Sequence, residues 1–104
     1  MLLKDILKNI KTTDIVGNPN IDIQQVVSDS RMANPSSLFV AVKGITTDGH
    51  QYIENSIEKG AVAILCQELP AFINEGVCYI RVSDPAKALG QAAANFYNNP
   101  SHQL

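Results

Sequence analysis

The sequence predicts a single α/β domain in which a small, mostly buried sheet is flanked by helices. Three short apolar runs, at residues 38–42, 61–66 and 77–82, have the β-rich composition of strands that are buried on both faces. Segments with helical periodicity or clear helix-start signals precede, separate and follow these runs. The length of 104 residues is that of one domain, so we assign residues 1–104 to one hydrophobic core without an internal linker.

The N-terminal third is predicted to contain a helix followed by a strand. One face of a helix over residues 2–11 carries apolar side chains at spacings of three and four: Leu3, Ile6, Leu7 and Ile10. A turn cluster follows at residues 17–20. Apolar and polar residues then alternate from residue 21, and Val26 and Val27 lead into Ser28, which predicts a strand or a hairpin arm.

Two further helices are predicted from the signals at their ends. For a helix over residues 51–59, Asp48 is the predicted N-cap and Gly60 the C′ residue. The next helix starts at Ser83-Asp84-Pro85, where a capping residue precedes a proline at N1. Its predicted core face is rich in alanine and therefore suited to close packing on the sheet: Leu89, Ala92, Ala93 and Phe96.

The composition excludes several classes of function. Eight basic and ten acidic side chains give a formal net charge of −2, which does not provide the clustered positive surface that nucleic acid requires. The longest apolar run, residues 60–66, is too short to span a bilayer, and residues 1–8 lack the apolar core of a signal peptide. We therefore expect a cytoplasmic protein with no nucleic-acid or membrane partner, in which Cys66 and Cys78 are small buried hydrophobes.

The segment from Lys43 to His50 is the first candidate binding site. It joins the end of a buried strand to the start of a helix, where free backbone N–H groups and the helix dipole attract anions. Two glycines permit close approach of the backbone, and Thr46 and Thr47 add hydroxyl donors, so a diphosphate would be well held there. An ordinary strand-to-helix turn explains the same residues equally well. The sequence lacks a Walker A motif, so ATP hydrolysis by this chain has no support.

The segment Ser28-Asp29-Ser30-Arg31 is the second candidate. It follows another predicted strand, and small hydroxyls beside a carboxylate and a guanidinium suit polar recognition of a base or a sugar. We expect Asp29 and Arg31 to form an ion pair that supports the loop, which leaves Ser28 and Ser30 as the better ligand-binding candidates. The alternative is a turn in which Asp29 and Ser30 bond only the local backbone.

The remaining reactive side chains do not predict a catalytic or metal site. No cluster of ligand residues has the spacing of a metal centre, and no cysteine–histidine spacing favours a nucleophile pair. We expect His50 to hold the start of its helix. The three tyrosines are interpreted as rim or core aromatics rather than as a base-stacking platform: Tyr52, Tyr79 and Tyr97.

Several short motifs follow one another in an order that is more specific than any single motif. They are Asp29-Ser-Arg31, Pro35, Leu38-Phe-Val-Ala41, Gly44, Asp48-Gly-His50, Gly60-Ala61 and Phe96-Tyr-Asn-Asn-Pro-Ser101. In this order and spacing, essentially the whole chain resembles the N-terminal domain of the Mur ligases. The resemblance is strongest to the member that adds the third amino acid of the peptidoglycan stem peptide.

The resemblance implies a division of labour in a longer enzyme. This domain would hold the UDP-MurNAc end of UDP-N-acetylmuramoyl-L-alanyl-D-glutamate and would take no cofactor itself. A central domain would bind ATP and Mg²⁺ and form an acyl phosphate on the D-glutamate carboxylate. A C-terminal domain would supply the amino acid, so the partners of this domain would be those two domains of the same, monomeric enzyme.

The resemblance also implies roles for individual residues. By position, Ser28 and Ser30 are similar to the residues that contact uridine, and Ile45, Thr46 and Thr47 to the loop that contacts the diphosphate. Together with their neighbours they form the predicted substrate site: Ser28, Asp29, Ser30, Arg31, Gly44, Ile45, Thr46, Thr47 and Asp48.

Two positions depart from the family pattern. Ser36 follows Pro35 where the family usually has glycine, which bears on whether this turn has a positive φ. Ile45 and Thr46 stand where relatives often carry histidine or glutamine. The contacts of that loop would then come mainly from backbone N–H groups and threonine hydroxyls.

Two other interpretations are compatible with the sequence. The ligase that adds the terminal dipeptide shares the Asp-Ser-Arg and Asp-Gly-His elements, although the Phe-Tyr-x-x-Pro-Ser ending favours the third-residue enzyme. A non-catalytic ligand-sensing or interaction domain on the same fold is the wider alternative. Such a module would expose a contiguous apolar patch, which the predicted helix faces do not supply.

Overall fold

The sheet at the centre of the domain is built from strands of three or four residues. The computed structural model describes residues 1–42 and 49–97, and within them the strands are β1 (Asp14–Val16), β2 (Gln25–Val27), β3 (Ser37–Val40), β4 (Ala63–Cys66) and β5 (Cys78–Arg81). The helices of these ranges are α1 (Leu3–Ile6), α2 (Ile53–Glu58) and α3 (Pro85–Tyr97), with two short 3₁₀ helices at Ser30–Met32 and Gly49–Tyr52. The predicted α/β class is confirmed.

The strands lie in the order β1-β5-β4-β3-β2, and all but one of the neighbouring pairs are parallel. Val27 lies opposite Phe39, Phe39 opposite Ile64, and Ile64 opposite Tyr79. Only β1 runs antiparallel, along β5. Because parallel strands end on the same side of a sheet, the chain leaves β2, β3, β4 and β5 along one line, which we call the carboxyl edge.

Each face of the sheet has its own hydrophobic cluster. The face covered by α1 and α3 contains the side chains of alternate strand residues: Val26, Leu38, Val40, Ala63, Leu65, Cys78 and Ile80. The face covered by α2 contains the residues between them: Val27, Phe39, Ala41, Ile64, Cys66 and Tyr79. The apolar runs of the sequence therefore have the expected cause, since successive side chains point to opposite, buried faces.

The two cysteines are free and buried, as predicted. They lie in the clusters on opposite faces of the sheet, so neighbouring strands do not bring their sulfur atoms together. Burial raises the pKa of the Cys66 thiol to about 11 and also raises the pKa of Cys78. Both side chains act as small apolar residues of the core.

The N-terminal elements differ from the prediction in three ways. The predicted helix over residues 2–11 is regular only at Leu3–Ile6, because the chain turns at Asn9 with a left-handed φ of 67°. Residues 21–23 bond to the N-terminal segment, which leaves only Gln25–Val27 as a strand. β1 was not predicted, since its three residues are largely exposed and form a strand only by pairing with β5.

The end signals of the later helices are mostly confirmed. Gly60 has a φ of 111°, and its N–H and that of Ala61 bond back to the last turn of α2, which is a Schellman motif. The Asp84 carboxylate accepts the Lys87 backbone N–H at 3.2 Å, and Pro85 is the first residue of α3. The helix predicted over residues 51–59 begins with a 3₁₀ turn, and its predicted cap, Asp48, lies outside the described residues.

The turn before β3 keeps a positive φ although serine replaces the family's glycine. Ser36 has a φ of 66°. Its N–H donates to the Gly60 carbonyl at 3.0 Å, and its carbonyl accepts the Gln24 N–H at 2.8 Å. These two bonds hold a conformation that costs a non-glycine residue about 1 kcal/mol. Serine at this position therefore still adopts a positive φ.

Candidate functional site

The strands that precede the two predicted binding segments, β2 and β3, are parallel neighbours in the sheet. Ser28–Arg31 follows β2 directly, and the segment 43–48 begins shortly after β3, the parallel neighbour of β2. The described chain resumes at Gly49, in the second 3₁₀ helix. The other predicted site residues lie outside the described residues, and their roles stay predictions: Gly44, Ile45, Thr46, Thr47 and Asp48.

Asp29 and Arg31 form the expected ion pair. The guanidinium donates from Nε to Oδ1 at 3.1 Å and from Nη2 to Oδ2 at 2.7 Å, and Oδ1 also accepts the Arg31 backbone N–H at 2.9 Å. These hydrogen bonds from Arg31 lower the pKa of the Asp29 carboxyl to about 2. Since the pair is exposed, it adds little to stability and mainly shapes the first 3₁₀ helix.

Ser30 differs from the other buried serines of the described residues. The Ser56 hydroxyl donates to the Ile53 carbonyl at 2.7 Å, and the Ser37 hydroxyl accepts the Asn34 N–H at 3.4 Å. Ser30 is only 6 % exposed, yet its hydroxyl makes no hydrogen bond to residues 1–42 or 49–97. No fully enclosed polar side-chain atom in these ranges lacks a partner, so the Ser30 hydroxyl must reach the surface. Although most of the Ser30 side chain is buried, its hydroxyl is therefore open to hydrogen bonding by water or a ligand.

His50 connects the second 3₁₀ helix to the end of β4. Its Nε2 accepts the backbone N–H groups of Gln67 at 3.0 Å and Glu68 at 3.2 Å. In this geometry Nε2 acts as the hydrogen-bond acceptor for both groups. We expected His50 to hold the start of its helix, and the structure adds the tie to β4 that the sequence did not indicate.

The three tyrosines lie where the prediction placed them, at the rim or in the core. Tyr79 is fully buried, and its hydroxyl accepts the Asn74 N–H at 2.9 Å. Tyr97 is partly exposed and its hydroxyl donates to the Val26 carbonyl at 3.3 Å, which covers part of the β2 edge. Tyr52 is exposed on the second 3₁₀ helix.

A cleft of about 380 Å³ lies at the β5 end of the carboxyl edge, between residues 9–11 and the start of α3. Polar and charged side chains line it, among them Lys11, Ser83, Asp84 and Lys87. The sequence did not predict this cleft. Because Asp84 already accepts an N–H group at the start of α3, the positive end of that helix is occupied by the protein's own carboxylate.

The described part of the chain contains no group of three or more histidine, cysteine or acidic side chains that could hold a metal ion. None of its helices is long and apolar enough to cross a membrane. Among the described residues, the β2 end of the carboxyl edge offers hydroxyls, backbone groups and the exposed Asp29–Arg31 ion pair.

Comparison with known proteins identifies the class of protein. The family described as "Mur ligase family, catalytic domain" matches residues 22–97. A UDP-N-acetylmuramoyl-L-alanyl-D-glutamate–2,6-diaminopimelate ligase of Bacteroides fragilis is 52% identical over 104 residues, covering 100% of this chain and 21% of the relative. The ligase of the same name from Caldanaerobacter subterraneus is 45% identical over 108 residues, covering 100% of this chain and 21% of the relative. The chain thus spans about a fifth of the length of these relatives.

Solved structures share the fold. A crystal structure of MurF from Acinetobacter baumannii superposes with a TM-score of 0.76 at 21% identity, over 95% of this chain and 21% of that chain. The MurF ligase of Thermotoga maritima, in complex with ADP, gives a TM-score of 0.61 at 26% identity, over 73% of this chain and 17% of that chain. With the family match over residues 22–97, the conclusion is plain: the chain belongs to the Mur ligase family.

Proposed function

We propose that this chain is the N-terminal domain of a MurE-type ligase and binds the UDP-MurNAc end of UDP-N-acetylmuramoyl-L-alanyl-D-glutamate. The observation that carries the proposal is Ser30, a buried serine whose hydroxyl has no partner in the described chain and lies at the carboxyl edge. Ligands of open α/β sheets bind outside the carboxyl ends of the strands, which is where this hydroxyl lies. The relatives support the ligand class, since their names specify the same UDP-linked dipeptide.

The two segments take different parts of the ligand in this proposal. Ser30, with the exposed Ser28 beside it, bonds the uracil edge or the ribose. The segment Gly44–Asp48 holds the diphosphate through backbone N–H groups and the hydroxyls of Thr46 and Thr47, with Ile45 alongside. Asp29 and Arg31 form hydrogen bonds with each other, and in this proposal they fix the turn that positions Ser30.

We assign neither ATP nor Mg²⁺ to this chain in the proposal. The sequence has no Walker A motif, and the described residues contain no metal-ligand cluster. In the proposed full-length enzyme both would bind a central domain, and we assign no catalytic residue to this chain. A ligase of this kind works in peptidoglycan synthesis in the cytoplasm, as a monomer, and we propose 2,6-diaminopimelate as the amino acid added, following the relatives' names.

The first test is an NMR titration of the chain with UDP-N-acetylmuramoyl-L-alanyl-D-glutamate, with UDP and ATP as comparisons. We expect amide shifts at residues 28–31 and 44–50 with the UDP ligands, and none with ATP. Absence of shifts at millimolar UDP ligand, in this chain and in the full-length protein, would contradict the proposal.

A single substitution then tests the hydroxyl that carries the proposal. Ser30→Ala should weaken UDP binding about fivefold, the effect of losing one hydrogen bond of about 1 kcal/mol. Its stability should change little, because this hydroxyl bonds no described residue. Ser83→Ala, at the β5 end of the same edge, is the matched control and should leave affinity unchanged. Equal affinities of wild type and Ser30→Ala in calorimetry would remove Ser30 from the site.

A further inference from the structure

The cleft at the β5 end of the carboxyl edge is lined in part by apolar residues of the core. Val82 and Ala88 are buried, and Ile10 is partly buried against the same hydrophobic cluster. Gly90 of α3 also lines the cleft, and a Cβ added there would meet no atom within 4 Å. The volume of about 380 Å³ is within the range of small-molecule sites. The cleft therefore has room and apolar surface for a small organic molecule.

Two lysines from different elements line the same cleft. Lys11 precedes β1, and Lys87 is the third residue of α3. Both side chains are exposed, and neither ammonium group forms an ion pair with a described residue. Among the described residues that line the cleft, Asp84 is the acidic one. Positive charge therefore exceeds negative charge in the cleft by one, although the whole chain has a net charge of −2.

The stability of α3 does not explain a lysine at position 87. A cation in the first turn of a helix is unfavourable, because the helix dipole places partial positive charge there. The Asp84 carboxylate is directed to the backbone, since its Oδ1 accepts the Lys87 N–H at 3.2 Å. The Lys87 ammonium group thus has no intramolecular partner among the described residues, and a bound anion would supply one.

We propose that this cleft binds a small organic carboxylate, whose apolar part contacts Ile10, Val82 and Ala88 and whose oxygens bond Lys11 and Lys87. A cleft with an excess of one charge concentrates ligands of the opposite charge. An excess of one positive charge matches a monoanion, whereas a phosphate dianion would leave negative charge beside Asp84. β3 and β4 lie between β5 and β2, so this site is separate from Ser28–Arg31 and does not depend on the proposed function.

The test is an NMR titration of the chain with hexanoate, 1-hexanol and hexylammonium, which share a six-carbon chain and differ in charge. Hexanoate should shift the amides of residues 9–11 and 82–91 with a dissociation constant in the millimolar range. Hexanol should bind about tenfold more weakly, and hexylammonium more weakly still, because neither pairs with the lysines. Added salt should weaken the binding of hexanoate and not that of hexanol. Equal affinities for hexanoate and hexanol, or no shifts at these residues, would overturn the proposal.

Substitution of the lysines tests which groups hold the carboxylate. Lys11→Gln and Lys87→Gln should each weaken hexanoate binding about threefold and leave hexanol binding unchanged, the effect of losing one exposed ion pair. Lys4→Gln, on α1 and outside the cleft, removes the same charge and should leave hexanoate affinity unchanged. Equal losses in all three variants would show that net charge alone attracts the anion, which overturns the proposal.

Gly90→Leu tests the position of the apolar part. Leucine favours a helix and has open space at this position, so urea unfolding should show a domain as stable as the wild type. The added side chain should abolish the binding of hexanoate and of hexanol. Retained binding in this folded variant would place the ligand elsewhere and overturn the proposal.

Two further ligands separate this site from a phosphate or nucleotide site. Hexyl phosphate should bind more weakly than hexanoate, and UDP should not displace hexanoate from the wild-type chain. Tighter binding of hexyl phosphate, or displacement by UDP, would assign the cleft to a phosphate ligand and overturn the proposal. UDP shifts at residues 28–31 without displacement of hexanoate would support both sites, and their absence would count against the proposed function alone.

Discussion

The two ends of the carboxyl edge differ in what they offer a ligand: one end provides a cleft and the other an available hydrogen-bonding group. The β5 end has the cleft of about 380 Å³, but the start of α3 is capped there by Asp84. The β2 end has the Asp29–Arg31 ion pair and, beside it, the nearly buried Ser30, whose hydroxyl reaches the surface and bonds no described residue. Concavity marks the first region, and an unmet hydrogen-bonding group marks the second.

The comparison teaches that volume and chemistry need not coincide. A ligand gains specificity where it satisfies polar groups that the protein leaves unsatisfied, because those groups otherwise carry a desolvation cost. At the β5 end a ligand would have to compete with Asp84 for the helix N–H groups. At the β2 end no described residue bonds the Ser30 hydroxyl, which supports the proposal that the nucleotide binds there.

The largest expected effect is a loss of stability at the β2 end of the carboxyl edge. Gly60→Ala should destabilise the domain by about 3 kcal/mol, because φ is 111° and an added Cβ would lie 2.7 Å from the Pro35 Cα. Pro35 belongs to the turn between the first 3₁₀ helix and β3, so amide shifts should concentrate at residues 28–36.

The matched control lies at the other end of the edge. Gly90 is inside α3, and a Cβ added there meets no atom within 4 Å. Gly90→Ala should therefore raise the free energy of unfolding by about 0.5–1 kcal/mol. Urea unfolding of both variants measures the difference, and a tolerated Gly60→Ala would contradict the close approach at Pro35.

Asp84→Ala tests whether the β5 end is structural. Loss of the helix cap should cost about 1 kcal/mol of stability without changing UDP affinity. Thermal unfolding and calorimetry measure the two quantities on the same sample. A drop in affinity at unchanged stability would move the ligand to the cleft and reverse the comparison.

The smallest expected effect concerns the ion pair at the β2 end. The Asp29 pKa is lowered from 3.8 to about 2 by Arg31, so the contribution of this pair is complete above the ordinary value and is lost as pH falls toward 2. NMR titration of the Asp29 carboxyl should give a midpoint near 2. Arg31→Ala should move that midpoint upward, and Lys87→Ala, at the β5 end, should not. An unchanged midpoint in Arg31→Ala would show that the pair is absent in solution.

The sequence predicted those parts of the fold whose signal is local and repeated. The runs that became β3, β4 and β5, the glycine after α2 and the proline at the start of α3 all follow from side-chain type and spacing. β1 could not be predicted, since three residues with one half-buried side chain carry no pattern, and β5 supplies their hydrogen bonds. The short length of α1 was also not predicted, because the apolar periodicity continues to Ile10 while the backbone turns at Asn9.

For the site, the sequence by itself determined which residue types are available: the hydroxyls, the Asp29–Arg31 pair and a glycine-containing segment after a buried strand. Only the tertiary structure decided that the Ser30 hydroxyl bonds none of the described residues while Ser37 and Ser56 are bonded, and that His50 reaches the end of β4. The physical reason is that segments distant in sequence can form hydrogen bonds only where the order of the strands in the sheet brings their strand ends together. Residue spacing encodes which face a side chain occupies, but not the partner it meets across the edge of a sheet.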